Sequence, residues 1–379
     1  MNHLVTQECM LEANFTLNKR HFPTAGRAAL VLAVLALLFA ALLDPGWNVG
    51  VSLGQDLVSD TSKTTAAPAA GTSDLWSAVS SGAAVHLWSV QFPTISTGFI
   101  SGGSGTLLKT TDGGGTWTPQ TSGTTLDLNA LSLADSQIGW AVGNLGTAIR
   151  TSNGGNTWTA MSTGTSDHLL SVTFGDSSTG LAVGYNGTTL RTINGGATWA
   201  PVSSGTIQHL TSVAFYNSAI AWAVGTSGTI LRSATIEGQF AWTAQSSGIT
   251  NTLLSVAYAN NFDVWAVGTG GVILHSADVG SSWTPQASGT SSNLWSVTAL
   301  DSQNLWAVGE GGVILKTTNG GATWTAQSSP TTQTLLFVQF PSPQTGWAVG
   351  ASGTLLRYSS GNVPKAYIPF LSRNYSEGW

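Results

Sequence analysis

Charge is what this sequence has least of. Lys, Arg, Asp and Glu make up 8% of its 379 residues, against roughly 25% in an average soluble chain, so hydroxyls, amides and turns must keep it in water. Its 12 Lys and Arg are outnumbered by 17 Asp and Glu, for a formal net charge of −5. No basic stripe is left to neutralise a phosphate backbone, which excludes nucleic acid as a partner. Cysteine is nearly missing as well. Cys9 stands alone and can close no intramolecular disulfide, so core packing and sheet hydrogen bonds must hold the fold.

Long apolar runs are absent with one exception, Ala28–Leu43, preceded by Lys19, Arg20 and Arg27 and ended by Asp44-Pro45-Gly46. As a helix it would cover about 24 Å of a ~30 Å hydrocarbon core. It reads as an export segment. The missing small-x-small cleavage site after Leu43 and the long polar stretch before it favour an uncleaved signal-anchor over a cleaved signal peptide. A helix buried in the folded domain fits poorly, because the run is apolar on every face and leads into a linker. The basic flank puts residues 1–27 in the cytoplasm as a tail and everything after residues 28–43 outside. Residues 44–73, which end in Ser/Thr/Ala-rich sequence, read as a flexible linker. The folded domain is expected at 74–360, with a C-terminal tail at 361–379.

What the chain has in abundance is glycine and tryptophan, 46 and 16 residues, and both are periodic. Tryptophans of the T-W-T type stand at Trp76, Trp117, Trp158, Trp199, Trp242, Trp283 and Trp324, spaced 41, 41, 41, 43, 41 and 41. The glycine closing W-A-V-G recurs at Gly102, Gly143, Gly184, Gly225, Gly268, Gly309 and Gly350 with the same spacings. A period of ~40–45 residues made of short alternating runs and Gly-rich turns is the mark of a four-stranded propeller blade. One unit reads as strands at 170–174, 180–184, 188–191 and 199–202. The fold class is therefore all-β, a seven-bladed β-propeller. The last unit supplies three strands and no T-W-T strand, while Trp76–Val79 is such a strand with nothing before it. The N-terminal strand is expected to complete the last blade and close the ring. Aromatics on the second strand (Phe99, Trp140, Trp222, Trp265, Trp306 and Trp347, with Leu181 the exception) are expected to fill the space between blades.

The turn from third to fourth strand carries the Asp-box pattern at Thr110–Trp117, Thr151–Trp158, Thr192–Trp199 and Thr317–Trp324. Ser276–Trp283 matches it more loosely, and the fourth blade has Ile236-Glu237-Gly238 instead. The chemistry is local: an Asp or Asn side chain takes nearby backbone N–H groups, Gly allows positive φ, and Trp covers the hairpin. These are structural turns, and the expectation is no metal and no cofactor.

The six Lys and Arg between residues 64 and 364 all occupy one repeat position: Lys109, Arg150, Arg191, Arg232, Lys316 and Arg357, with His275 in the slot of the fifth blade. A chain that discards nearly every other cation but keeps one per blade has built a basic ring. It reads either as a surface for an anionic or acidic protein partner, or as a set of bases that each bond carbonyls or the box side chain at their own hairpin. A second position, just before the first strand, holds His86, Asp127, His168, His209, Thr252, Asn293 and Thr334. Four metal-capable groups on neighbouring blades stand too far apart to share one ion with ~2 Å bonds, so they read as polar lining of the channel mouth.

The combination of G-W-A-V-G, G-T-[IL]-L-[RK]-T and [DN]-G-G-x-T-W resembles the photosystem II stability/assembly factor family across 74–360. The resemblance implies a seven-bladed propeller that binds partner proteins without catalysis, with a membrane complex as the partner and an arginine-rich patch as the docking feature. The segment Ala366–Asn374 resembles Y-[IL]-P tails of secreted bacterial proteins, or is an extended piece on the propeller rim. The propeller itself is expected to be monomeric.

Two other classes stay in view. Asp-boxes also occur in sialidase-like glycoside hydrolases, which need an arginine cluster or paired carboxylates that break the repeat. Here every domain arginine lies in the ring. Asp135, Asp176 and Asp301 fall in turns between first and second strands, Asp112 and Asp278 in boxes, and Glu310 in a following turn, so no enzyme is expected. A glycan-binding cell-surface scaffold is the alternative that the sequence leaves open, although Trp88 and Trp295 share one inner-strand position and look architectural.

Overall fold

The computed structural model describes residues 75–360 apart from 218, 219, 237, 238 and 261. The export segment, the linker, Cys9, the C-terminal tail and the Glu237-Gly238 turn lie outside the described residues. Seven four-stranded antiparallel sheets follow one another as blades. Blades 1 to 6 each run their four strands in chain order, at 87–120, 128–161, 169–201, 210–245, 253–286 and 294–326. Blade 7 takes three strands from Leu335–Ser342, Thr345–Gly350 and Leu355–Ser359 and its fourth from Leu75–Ala78, with Trp76 opposite Tyr358 and Ala78 opposite Leu356. The closing strand is where the repeat count placed it.

Within a blade the burial pattern follows the residue types. Second strands such as Gly139–Gly143 and Ala221–Gly225 are buried from end to end, because a sheet sits against each of their faces and only a continuous apolar run suits that position. Fourth strands are short and largely exposed, down to two residues at Ala200–Pro201 and Thr325–Ala326, except for the seven-residue Gln239–Gln245 of blade 4. The first strand carries a register shift after its opening leucine in every blade, for example between Leu169 and Ser171 and between Leu294 and Ser296. Such a bulge bends and twists the strand. It leaves Trp88, Asn129, Leu170, Thr211, Leu254, Trp295 and Leu336 half-buried and out of the ladder.

Seams between blades are built from rings and hydroxyls. Trp140 stacks on Phe174 of the next blade, Trp306 on Phe340 at 3.8 Å between centroids, and Trp347 on Phe92 across the closure. Each such side chain contributes roughly 1.5–3 kcal/mol through burial. Beside them the Oγ atoms of Ser171, Ser212, Ser255 and Ser296 accept the backbone N–H groups of Val213, Val256, Val297 and Val338, one blade on, at 3.1–3.3 Å. The glycine of W-A-V-G has extended backbone at φ near −165°, so its small size and not its torsional freedom is what matters. A Cβ on Gly143 would lie 1.8 Å from the Asp127 carbonyl oxygen.

Two faces result. The turns between first and second strands and the Asp-boxes share one, the box face. The turns between second and third strands and the connections between blades share the other, the far face.

Candidate functional site

Each Asp-box closes on itself. Asp112 accepts the Thr116 N–H at 2.9 Å, the Thr116 hydroxyl at 2.7 Å and the Thr110 hydroxyl at 2.7 Å, while the Gly114 N–H donates to Thr110 Oγ1. The Asn boxes keep the frame: Asn153 Oδ1 accepts the Thr157 N–H and its Nδ2 donates to Thr157 Oγ1. The looser Ser276–Trp283 match is a full box. Asp278 accepts the N–H and the hydroxyl of Ser282 and the hydroxyl of Ser276, and Val279 takes φ +64° where other boxes have glycine.

These bonds stabilise the ionised acid. The Thr116 N–H, followed by the Thr110 and Thr116 hydroxyls, holds Asp112 well below the ordinary carboxylate range. Asp278 is lowered to about 2 by the Ser282 hydroxyl and N–H and the Ser276 hydroxyl. Because both folded values are depressed, the unfolded chain binds more protons as acidity rises. Their contribution is complete above the unfolded value near 3.8 and drains as pH falls toward about 2. The thermal midpoint is expected to fall over that window, and a variant carrying Asp112→Asn and Asp278→Asn to fall less steeply. Thermal scans across the window read the difference.

The boxes also latch the blades together. The carbonyl of the residue after the box Asp or Asn receives a donor from the preceding blade: Lys109 Nζ to Gly154 at 2.5 Å, Trp140 Nε1 to Gly195 at 2.8 Å, Trp222 Nε1 to Val279 at 3.3 Å and Gln286 Nε2 to Gly320 at 2.9 Å. All four donors stand at positions whose residue type recurs in other blades, yet nothing in one repeat unit tells that they reach the next.

The basic ring lies in these seams. Every base is the cross-strand partner of its second-strand residue: Lys109 with Phe99, Arg150 with Trp140, Arg191 with Leu181, Arg232 with Trp222, His275 with Trp265, Lys316 with Trp306 and Arg357 with Trp347. Lys109, Arg150, Lys316 and Arg357 sit over those rings at 5.1–5.7 Å. Arg191 has Leu181 as its strand partner and instead sits over Phe240 of blade 4 at 5.1 Å. Each contact of this kind stabilises by about 0.5–2 kcal/mol. His275 stacks on Trp265 at 4.3 Å and pairs with Asp263 at 3.0 Å. Lys109 Nζ on the Gly154 carbonyl and Arg191 over Phe240 reach the next blade, while Arg150 lies over Trp140 of its own. Six of the seven are half-buried and Arg357 is exposed. In Arg150, Arg191 and Arg232 the Nε atom is buried without a hydrogen-bond partner, so three consecutive seams hold guanidinium groups with unused donor capacity.

The second repeat position turns out to cap turns. His209 Nδ1 accepts the Asn186 N–H at 3.0 Å, His86 Nδ1 the Ser352 N–H at 3.2 Å, Asp127 the Ser104 N–H at 2.7 Å and Asn293 the Gly270 N–H at 2.8 Å. Among the described residues no group of three or more His, Cys, Asp or Glu is placed to hold a metal ion. Asp135, Asp176 and Asp301 each accept two turn N–H groups at 2.6–2.8 Å, and Glu310 accepts from Asn293. These carboxylates hold turns.

A family model described as photosynthesis system II assembly factor YCF48 matches residues 68–166, 199–317 and 286–359, more than half of the chain. Among solved structures, YCF48 from Cyanidioschyzon merolae is similar at 22% identity and a TM-score of 0.65, over 76% of this chain and 99% of that one. A structure titled YCF48 bound to D1 peptide is similar at 22% identity and a TM-score of 0.65, over 75% and 96%. The WD40 repeats of RRP9 share the fold at 9% identity and a TM-score of 0.61, over 75% and 99%. No curated protein matches the chain.

Proposed function

The chain belongs to the photosynthesis system II assembly factor YCF48 family, and from that premise we propose that it is an exported, non-catalytic scaffold whose propeller binds a protein of a membrane complex during assembly. The N-terminal apolar run supports export, with the propeller outside the cytoplasm and tethered if the segment is retained. The observation that carries the docking surface is the set of seam bases, above all Arg150, Arg191 and Arg232. Trp140 and Phe240 lie under the guanidinium groups of Arg150 and Arg191, and all three arginines are only half-buried, so their outer N–H groups stay within reach of an approaching carboxylate. The D1 peptide seen on a family member supplies the class of partner, a segment of a photosystem II protein. Engaged turn carboxylates support a role without catalysis.

The full chain, affinity-tagged and cross-linked in intact membranes, is expected to co-purify with a photosystem II protein. A variant carrying Arg150→Gln, Arg191→Gln and Arg232→Gln should lose that protein while staying folded, its thermal midpoint lowered only by the lost ring contacts. Recovery of polysaccharide or unrelated envelope proteins in place of it would overturn the reading.

A further inference from the structure

In a chain this regular a site shows as a departure from the repeat, and three departures gather on the far face of blades 2, 3 and 4. At the first position of the turn between second and third strands the seven blades carry Gly103, Asn144, Tyr185, Thr226, Thr269, Glu310 and Ala351; Tyr185 is the one aromatic. At the next position, Leu145 is the one aliphatic residue among serines, glycines and an asparagine. In the connections between blades, Ile207 stands where the others have Ala, Thr or Ser. These three are 57%, 38% and 82% exposed for Leu145, Tyr185 and Ile207. The other large exposed apolar residues among those described, Leu75, Ile95, Ile193 and Phe262, all fall on the box face.

The three form one patch. Tyr185 stacks on His209 at 4.3 Å and lies 4.9 Å from His168. The register that sets Asn186 against His209 places Leu145 at His168. Ile207 shares with Asn186 the wall of a cavity of about 800 Å³. Leu145 is held at φ +53°, a left-handed conformation that costs a branched side chain roughly 1–2 kcal/mol. The other blades share that torsion with Ser104, Asn186, Ser227, Gly270, Gly311 and Ser352, all small or polar. A strained, exposed leucine is kept against stability, which is the pattern of a contact residue.

We infer that this patch docks an uncharged protein segment bearing aromatic and branched aliphatic side chains, on the face opposite the basic seams. Charge decides the occupant's chemistry. None of the residues lining the cavity is Lys, Arg, Asp or Glu. Beside it, Asp167 accepts from Asn186 Nδ2 at 2.9 Å and Thr188 Oγ1 at 2.6 Å. An acidic side chain buried here would meet that carboxylate and no base in the wall, and a basic one would lie against a neutral wall with its one counter-ion already held by two turn hydrogen bonds, so burying either is costly. Leu145 and Ile207 contribute binding only by burying apolar surface, which a sugar offers little of. An assembly scaffold with two such faces can hold two segments of different character at once.

The test is selection of a displayed library of random 12-residue peptides on the immobilised full chain. Enriched peptides are expected to lack Asp, Glu, Lys and Arg and to contain an aromatic residue. They should bind a variant carrying Leu145→Gly, Tyr185→Thr and Ile207→Thr, the residues other blades use, about tenfold or more weaker. The thermal midpoint of that variant should hold or rise, since Leu145→Gly releases the strained torsion, and the triple Arg→Gln variant should bind as the wild type does. Enrichment of charged peptides, no enrichment, or equal binding to the reverted variant would overturn the inference. So would a neutral oligosaccharide, or a second copy of the chain, occupying the patch and blocking the peptides.

Discussion

Trp76→Ala is expected to lower the unfolding free energy by about 3–5 kcal/mol, the range for removing a buried aromatic from a core. Trp76 is 6% exposed, and its ring meets Tyr358 at 5.4 Å and Phe340 at 5.9 Å, so the cavity would open at the junction of the chain's two ends. Trp158→Ala is the control. It removes the same repeat residue from blade 2, whose four strands are contiguous in sequence, and Trp158 is only partly buried. Denaturant titration should show the larger loss for Trp76→Ala, together with a changed slope, because ring opening exposes the blade 7 seam in the native state. Equal losses with equal slopes would mean that closure by the N-terminal strand adds nothing.

Gly143→Ala should cost about 3 kcal/mol or more. A methyl there would sit 1.8 Å from the Asp127 carbonyl oxygen and 3.1 Å from Leu128 Cα, both backbone, so no side chain can swing aside. The Asn144 N–H bond to the Asp127 carbonyl, at 3.0 Å, would break as the strands part. Gly164→Ala separates this close approach from torsional strain. Gly164 has φ +74° and nothing within 4 Å of an added Cβ, so its cost should stay near 1–2 kcal/mol. Thermal or denaturant unfolding of the two variants reads the gap, and similar losses would contradict the steric account.

The blade count, the closing strand and the aromatic filling were legible because each is a one-dimensional fact: a period, a missing strand, a residue type in register. The seams were not. Lys109 meets Gly154 and Trp140 meets Gly195 at separations of 45 and 55 residues, both beyond one period, and a repeat by itself does not say which neighbour a side chain faces. The box at Asp278 departs from the others in sequence and keeps their geometry. Its geometry needs only an acceptor between two hydroxyl residues, and Ser276 and Ser282 serve as well as threonines. The fourth strand of blade 3 has Ala200 and Pro201 in its ladder and Val202 bonded through its N–H to the Thr189 carbonyl at 2.9 Å, so of the 199–202 run only Trp199 stands outside the pairing. Tyr185, Leu145 and Ile207 were visible as departures from the repeat, but their exposure and their gathering on one face depend on the fold.

The central claim is that the seam arginines dock a protein segment. Fluorescence-anisotropy titration of a labelled D1 peptide against the wild type and the Arg150→Gln, Arg191→Gln, Arg232→Gln variant, at low and high salt, tests it most directly. The account predicts binding that weakens with salt, and a loss of about tenfold or more in the variant with a flatter salt dependence, the variant staying folded with a thermal midpoint lowered only by the lost ring contacts. No binding by the wild type, or equal affinity and equal salt dependence in both proteins, would contradict it.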